Sequence, residues 1–170
     1  SNINWSGDDK KIFFQYDDQG MTKMGSTNIK GRFESIIDEI GGLSYGRPYS
    51  GGSYSISKNE RYAFTYGNVH NPSDLATGYK GSKNRLTNLN RDLFDYKKLG
   101  DVEEIWYESS FDQKMIQGWI VKPPNFDESK KYPLILEIHG GPFTNYGFRF
   151  SPEVQLFAAA GYVVLYTNPR

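Results

Sequence analysis

The sequence predicts a mixed fold, in which two repeated units of antiparallel β-sheet precede a strand–helix–strand unit. Short β-forming runs alternate with polar turns through the first hundred or so residues, and the pattern recurs after about fifty residues. A capped helix between two apolar strands follows near the end. The 13 Tyr, 11 Phe and 18 Gly suit short strands joined by tight turns.

The repeat is clearest where a strand enters a polar turn and continues as a second strand. Residues 56–64 align with residues 5–13, matching a large residue, a serine, a polar turn and a β-rich run. Strands are predicted in the first unit at residues 11–16, 21–27 and 32–37. The last strand of the second unit is predicted to end near residues 88–90. A period of about fifty residues with four strands per unit is typical of β-propeller blades, and two unrelated hairpins of a β-sandwich are the alternative.

The pattern changes at about residue 101, where longer strands begin. Residues 102–109 and 114–121 predict an antiparallel hairpin that ends at Pro123 and Pro124, because proline cannot donate to a strand ladder. This change predicts a boundary between residues 1–100 and residues 101–170.

The strand–helix–strand unit begins with residues 134–138, which are predicted to form a strand buried on both faces. Ser151 and Pro152 predict a helix start, and Gly161 predicts its end. The buried side of this helix is predicted to comprise Val154, Leu156, Phe157, Ala158 and Ala160. Residues 162–166 then predict a strand parallel to the first.

Composition excludes several classes of function. Twenty basic and twenty acidic residues balance to a formal net charge of zero, which gives no basis for a nucleic acid or an anionic membrane as partner. The chain has no cysteine and lacks the common metal and nucleotide motifs, so no metal and no cofactor are expected. No apolar run is long enough to span a bilayer, and the cellular compartment stays open.

The candidate functional residues follow the strand at residues 134–138. His139, Gly140, Gly141 and Pro142 form a turn whose backbone N–H groups can face an open space, as one side of an oxyanion hole requires. No G-x-S-x-G nucleophile motif occurs; residues 51–55 come nearest but lack the preceding strand and the following helix.

Taken together, these motifs resemble the prolyl oligopeptidase family of serine peptidases, in particular its acylaminoacyl-peptidase-like and dipeptidyl-peptidase-like members. The resemblance covers the chain from residue 5 to residue 87. It is tighter over residues 118–123, 131–133, 139–142, 161–162 and 168–170.

The resemblance implies that residues 1–100 are the last two blades of a β-propeller and that residues 101–170 are the N-terminal portion of an α/β-hydrolase domain. The parent enzyme would hydrolyse short peptides by Ser-His-Asp catalysis, with all three triad residues expected downstream of Arg170. No catalytic side chain is therefore expected here. Gly140 and Gly141 are the oxyanion-hole candidates, while His139 and Pro142 would support the active-site wall.

Residues 1–170 alone are expected to be inactive, and to associate with themselves or with the rest of the parent chain. Two alternatives remain open: a non-enzymatic β-repeat module that binds a partner, and an esterase with the same oxyanion loop.

Overall fold

A computed structural model describes residues 2–42, 44–141 and 143–169. Three four-stranded sheets and two short helices make up this part of the chain. The first sheet is an antiparallel meander in the order β1-β2-β3-β4. Its strands are β1 (Ile3–Trp5), β2 (Lys11–Asp18), β3 (Met21–Asn28) and β4 (Phe33–Ile37).

The second sheet repeats the first, with the order β5-β6-β7-β8. Its strands are β5 (Tyr54–Ile56), β6 (Tyr62–Asn68), β7 (Asn71–Tyr79) and β8 (Ser82–Arg85). The turns between the first two strands match closely: Ser6 Oγ accepts from Lys10 N, and Ser57 Oγ accepts from Arg61 N, each at 3.2 Å. The predicted repeat is confirmed.

The second sheet ends earlier than predicted, because β8 stops at Arg85 rather than near residues 88–90. The buried Asp74 carboxylate accepts hydrogen bonds from Thr87 Oγ1 at 2.7 Å and from Leu89 N at 3.0 Å. These bonds draw the chain away from the sheet edge. A helical turn that the sequence did not predict, α1 (Arg91–Phe94), follows.

The two repeated sheets share one hydrophobic core. Aromatic and aliphatic side chains from both sheets and from the loop after β4 fill it, and they are Phe13, Met24, Ile37, Ile40, Tyr54, Tyr62, Phe64 and Ala76. A single sheet of this kind would leave its inner face uncovered, so each sheet supplies the cover for the other.

The third sheet combines the predicted hairpin with the predicted parallel pair, in the order β11-β12-β10-β9. Its elements are β9 (Asp101–Glu108), β10 (Met115–Lys122), β11 (Leu134–Glu137), α2 (Pro152–Ala159) and β12 (Val163–Thr167). β11 pairs in parallel with β12, whereas β10 pairs antiparallel with both β9 and β12. The chain is thus mostly antiparallel β-structure with little helix.

The prediction that residues 134–138 are buried on both faces is wrong. Leu134, Leu136 and Ile138 are 60%, 53% and 74% exposed. These three residues alternate along the strand and so share one face, which no element of the described chain covers, whereas Ile135 on the other face packs against the core.

Helix α2 begins and ends as predicted. Ser151 Oγ accepts from Val154 N at 3.2 Å, and Gly161 takes a positive φ of 94° after the last turn.

The predicted buried side of α2 is only partly correct. Val154 and Ala158 are buried and Phe157 is half-buried, but Leu156 and Ala160 are exposed. Gln155 is buried instead, because its side-chain amide exchanges hydrogen bonds with the backbone of Gly100 at 2.8 and 3.2 Å.

The third sheet and α2 enclose a second core, which comprises Trp119, Val121, Tyr146, Val154, Ala158, Val164 and Tyr166. Among the described residues, neither helix has the length and apolar character needed to cross a bilayer.

Candidate functional site

The turn after β11, residues 139–141, is called the glycine loop below. Gly140 and Gly141 are exposed, and within the described ranges neither of their N–H groups meets a hydrogen-bond acceptor. The carbonyl oxygen of Gly140 faces Nδ1 of His139. Because N–H and C=O point in opposite directions across a trans peptide, the N–H of Gly141 is directed away from the His139 ring. Among the residues that the structure describes, the loop therefore presents a backbone donor without an acceptor.

The ring of His139 forms part of an aromatic cluster. Its centroid lies 4.7 Å from that of Tyr146 and 6.2 Å from that of Tyr49, both in edge-to-face geometry. Its Nε2 is buried and has no hydrogen-bond partner among the residues that the structure describes. Pro142, the other predicted wall residue, lies outside the described residues.

A carboxylate that sequence reasoning did not single out lies two residues before His139. The Glu137 side chain is 13% exposed. Its Oε1 accepts a hydrogen bond from the hydroxyl of Tyr146 at 2.9 Å and lies 3.1 Å from Nε of Arg47. The one signal in the sequence is a charge inside an otherwise apolar strand.

The charge of Glu137 affects both of its partners. Burial and the hydrogen bond to Glu137 together hold the pKa of Tyr146 well above its usual value, so its hydroxyl remains a donor. The attraction of Glu137 raises the pKa of Arg47. An ionic contact thus joins the end of β11 to the loop between the two repeated sheets.

Residues 44–50 of that loop are called the linking segment. It runs alongside residues 145–151, with Tyr49 and Tyr146 forming a β-bridge. Gly147 N donates to Pro48 O and Ser50 N donates to Asn145 O, each at 2.9 Å. These contacts join the loop between the two repeated sheets to the residues that follow the glycine loop in the chain.

A sizeable apolar cavity lies away from the glycine loop. A groove of about 760 Å³ runs between the second sheet, α1 and α2, and its apolar lining includes Leu75, Leu89, Leu93, Phe94, Phe150 and Leu156. Arg149 also lines it, and burial lowers the pKa of this residue to about 10, so the guanidinium stays charged at neutral pH. None of the residues 139–141 lines this groove.

The second histidine of the chain and the serine within residues 51–55 lie on other elements than the glycine loop. His70 is exposed in the turn between β6 and β7, and Ser53 lies in the loop before β5 with no helix after it. No group of three or more His, Asp or Glu suited to holding a metal occurs in the described part of the chain.

Comparison with known proteins decides what this arrangement is related to. No family model matches the chain. It is 32% identical over 168 residues to an uncharacterized peptidase of Bacillus subtilis, YuxL, covering 98% of this chain and 24% of that protein. It is 31% identical over 175 residues to dipeptidyl-peptidase 5 of Aspergillus fumigatus, covering 98% and 23%. The chain is a relative of these peptidases.

A solved structure agrees. Acylaminoacyl peptidase of Pyrococcus horikoshii superposes with a TM-score of 0.74 at 26% identity, over 94% of this chain and 24% of that one. The resemblance to peptidases of the prolyl oligopeptidase type, inferred from the sequence motifs, is confirmed. The chain spans about a quarter of the length of the relatives that it matches.

Proposed function

We propose that the chain is part of a serine peptidase that hydrolyses short peptides, of the acylaminoacyl- or dipeptidyl-peptidase type. Residues 1–100 supply two propeller blades and residues 101–170 supply the first part of an α/β-hydrolase domain. The observation that carries the proposal is the glycine loop after a parallel strand, whose N–H groups meet no acceptor among the described residues, in a chain related to peptidases over 98% of its length.

In this proposal the glycine loop supplies one donor of the oxyanion hole. When a serine attacks the peptide carbonyl, negative charge develops on the carbonyl oxygen, and a fixed N–H stabilises it without reorganisation. The peptide geometry favours Gly141 over Gly140 as the donor, because the N–H of Gly141 points away from His139. The nucleophile, acid and base come from sequence other than these 170 residues, which hold no G-x-S-x-G motif.

The proposal is tested with the full-length natural protein that contains this chain. Hydrolysis is measured on acyl-aminoacyl and dipeptidyl p-nitroanilides, with p-nitrophenyl acetate as the ester comparison. We expect turnover of at least one class of amide, because a serine nucleophile assisted by an oxyanion hole cleaves amides as well as esters. Turnover of the ester alone would indicate an esterase, and no turnover at all would indicate a binding module.

A further inference from the structure

The Glu137 side chain is a carboxylate in an otherwise apolar strand. It is nearly buried at the end of β11, and a buried carboxylate is costly unless opposite charge and hydrogen bonds compensate it. Compensation comes from two groups on one oxygen: the Tyr146 hydroxyl at 2.9 Å and the Arg47 guanidinium at 3.1 Å. Arg47 is the one cation within 4 Å of Glu137 among the described residues.

Arg47 belongs to the linking segment and not to the sheet that carries the glycine loop. Hydrogen bonds fix the residues on both sides of Arg47. The carbonyl of Gly46 accepts from the Ser151 hydroxyl, and the carbonyl of Pro48 accepts from Gly147 N at 2.9 Å. A second carboxylate, Glu153, lies 3.7 Å from Arg47 but is 40% exposed. The Arg47 guanidinium thus reaches from the linking segment to Glu137 at the end of β11.

The same contacts reach the glycine loop through Tyr146. The ring of this residue is fully buried and meets His139 at 4.7 Å, while its hydroxyl holds Glu137. Its backbone is fixed by Asn168, whose side chain accepts from Tyr146 N at 2.7 Å and donates to Tyr146 O at 3.0 Å. Tyr146 can therefore adjust to an unpaired Glu137 only by displacing the ring that supports His139.

We propose that Arg47 is a positioning residue for the glycine loop: it neutralises Glu137 and, through Tyr146 and His139, holds Gly140 and Gly141 in place. The inference rests on the proposed function. It adds that the β-repeat part of the chain sets the geometry and the local charge of the oxyanion hole. An unpaired carboxylate two residues from the loop would also oppose the negative charge that develops there.

The test compares kcat and KM of the full-length protein on its best amide substrate for Arg47→Gln, Arg47→Lys, Glu137→Gln and the double variant R47Q/E137Q. We expect R47Q to lower kcat about ten- to a hundredfold with KM little changed, because misplaced catalytic groups slow the chemical step. R47K keeps the charge and should retain most of the activity. The double variant should recover much of the loss, because it leaves no uncompensated charge.

Arg91→Gln is the matched control, since it breaks an exposed ion pair with Asp95 of 3.0 Å that is remote from the loop. It should leave kcat and KM unchanged. An effect of Arg47 that does not act through Glu137 predicts that the two single losses in kcat add in the double variant, and this result would overturn the inference.

The outcomes separate the inference from the proposed function. An active wild type whose R47Q variant keeps full kcat overturns the inference and leaves the function intact. A wild type that hydrolyses neither amides nor esters overturns both. If R47Q proves unstable, R47K and the double variant still decide, since both avoid an unpaired Glu137.

Discussion

Replacing Gly141 with proline is expected to lower kcat of the full-length protein by about a hundred- to a thousandfold. Proline has no backbone N–H, so the variant removes the donor proposed for the oxyanion. Gly141→Ala keeps that N–H, and an added Cβ would meet Phe143 N at 3.8 Å and His139 Cε1 at 3.9 Å, which are ordinary contact distances. The alanine variant should therefore keep most of the activity. Steady-state kinetics on the p-nitroanilide substrates measures both.

The corresponding pair at Gly140 completes this experiment. A Cβ at Gly140 would meet no atom within 4 Å, so Gly140→Ala is also tolerated sterically. If Gly141 is the donor, Gly140→Pro should cost less than Gly141→Pro. Equal activity of the proline and alanine variants at both positions would mean that neither N–H takes part in the reaction.

Gly20→Ala is expected to lower the free energy of unfolding by about 2 to 5 kcal/mol. Gly20 has a φ of +73°, which alone costs a residue with a Cβ about 1–2 kcal/mol. The added Cβ would also lie 2.8 Å from Cζ2 of Trp119. That ring is fully buried and stacks on Tyr166 at 5.2 Å, so it has no room to move.

Gly81→Ala is the matched control for Gly20→Ala. Gly81 has a φ of +81°, yet a Cβ there would meet nothing within 4 Å. Its cost should be limited to the backbone contribution of about 1–2 kcal/mol. Urea unfolding of both variants measures the difference. Equal losses would show that the Trp119 ring accommodates the added Cβ at no cost, contrary to this prediction.

Local features were predictable from the sequence, because the residues that cause them are adjacent in it. The Ser151 cap, the Gly161 stop and the two serine-led turns of the repeat depend on contacts within a few residues. The end of β8 was missed because it depends on Asp74, which lies more than ten residues earlier.

Burial was less predictable, because it depends on what covers each face. Leu136 and Leu156 have the composition of core residues, but no element of the described chain covers them. Gln155 is polar and yet buried, since the backbone of Gly100 satisfies its amide. No local pattern reveals such a partner.

The candidate site shows the same difference between local features and features that depend on distant residues. The glycine loop was visible as a motif. The contact of Arg47 with Glu137 was not, because it brings a residue of the linking segment to the last residue of β11, 90 positions later in the chain. The charge of Glu137 within an apolar strand was the only indication that a partner was needed.

The most direct test of the central claim is a structure of the full-length protein with a peptidyl boronic acid, which forms a tetrahedral adduct on a nucleophilic serine. We expect the oxygen of the adduct that mimics the oxyanion to lie about 2.7–3.1 Å from the backbone nitrogen of Gly141 or Gly140. An adduct whose oxygens have neither nitrogen within hydrogen-bond distance would contradict the proposed role of the glycine loop.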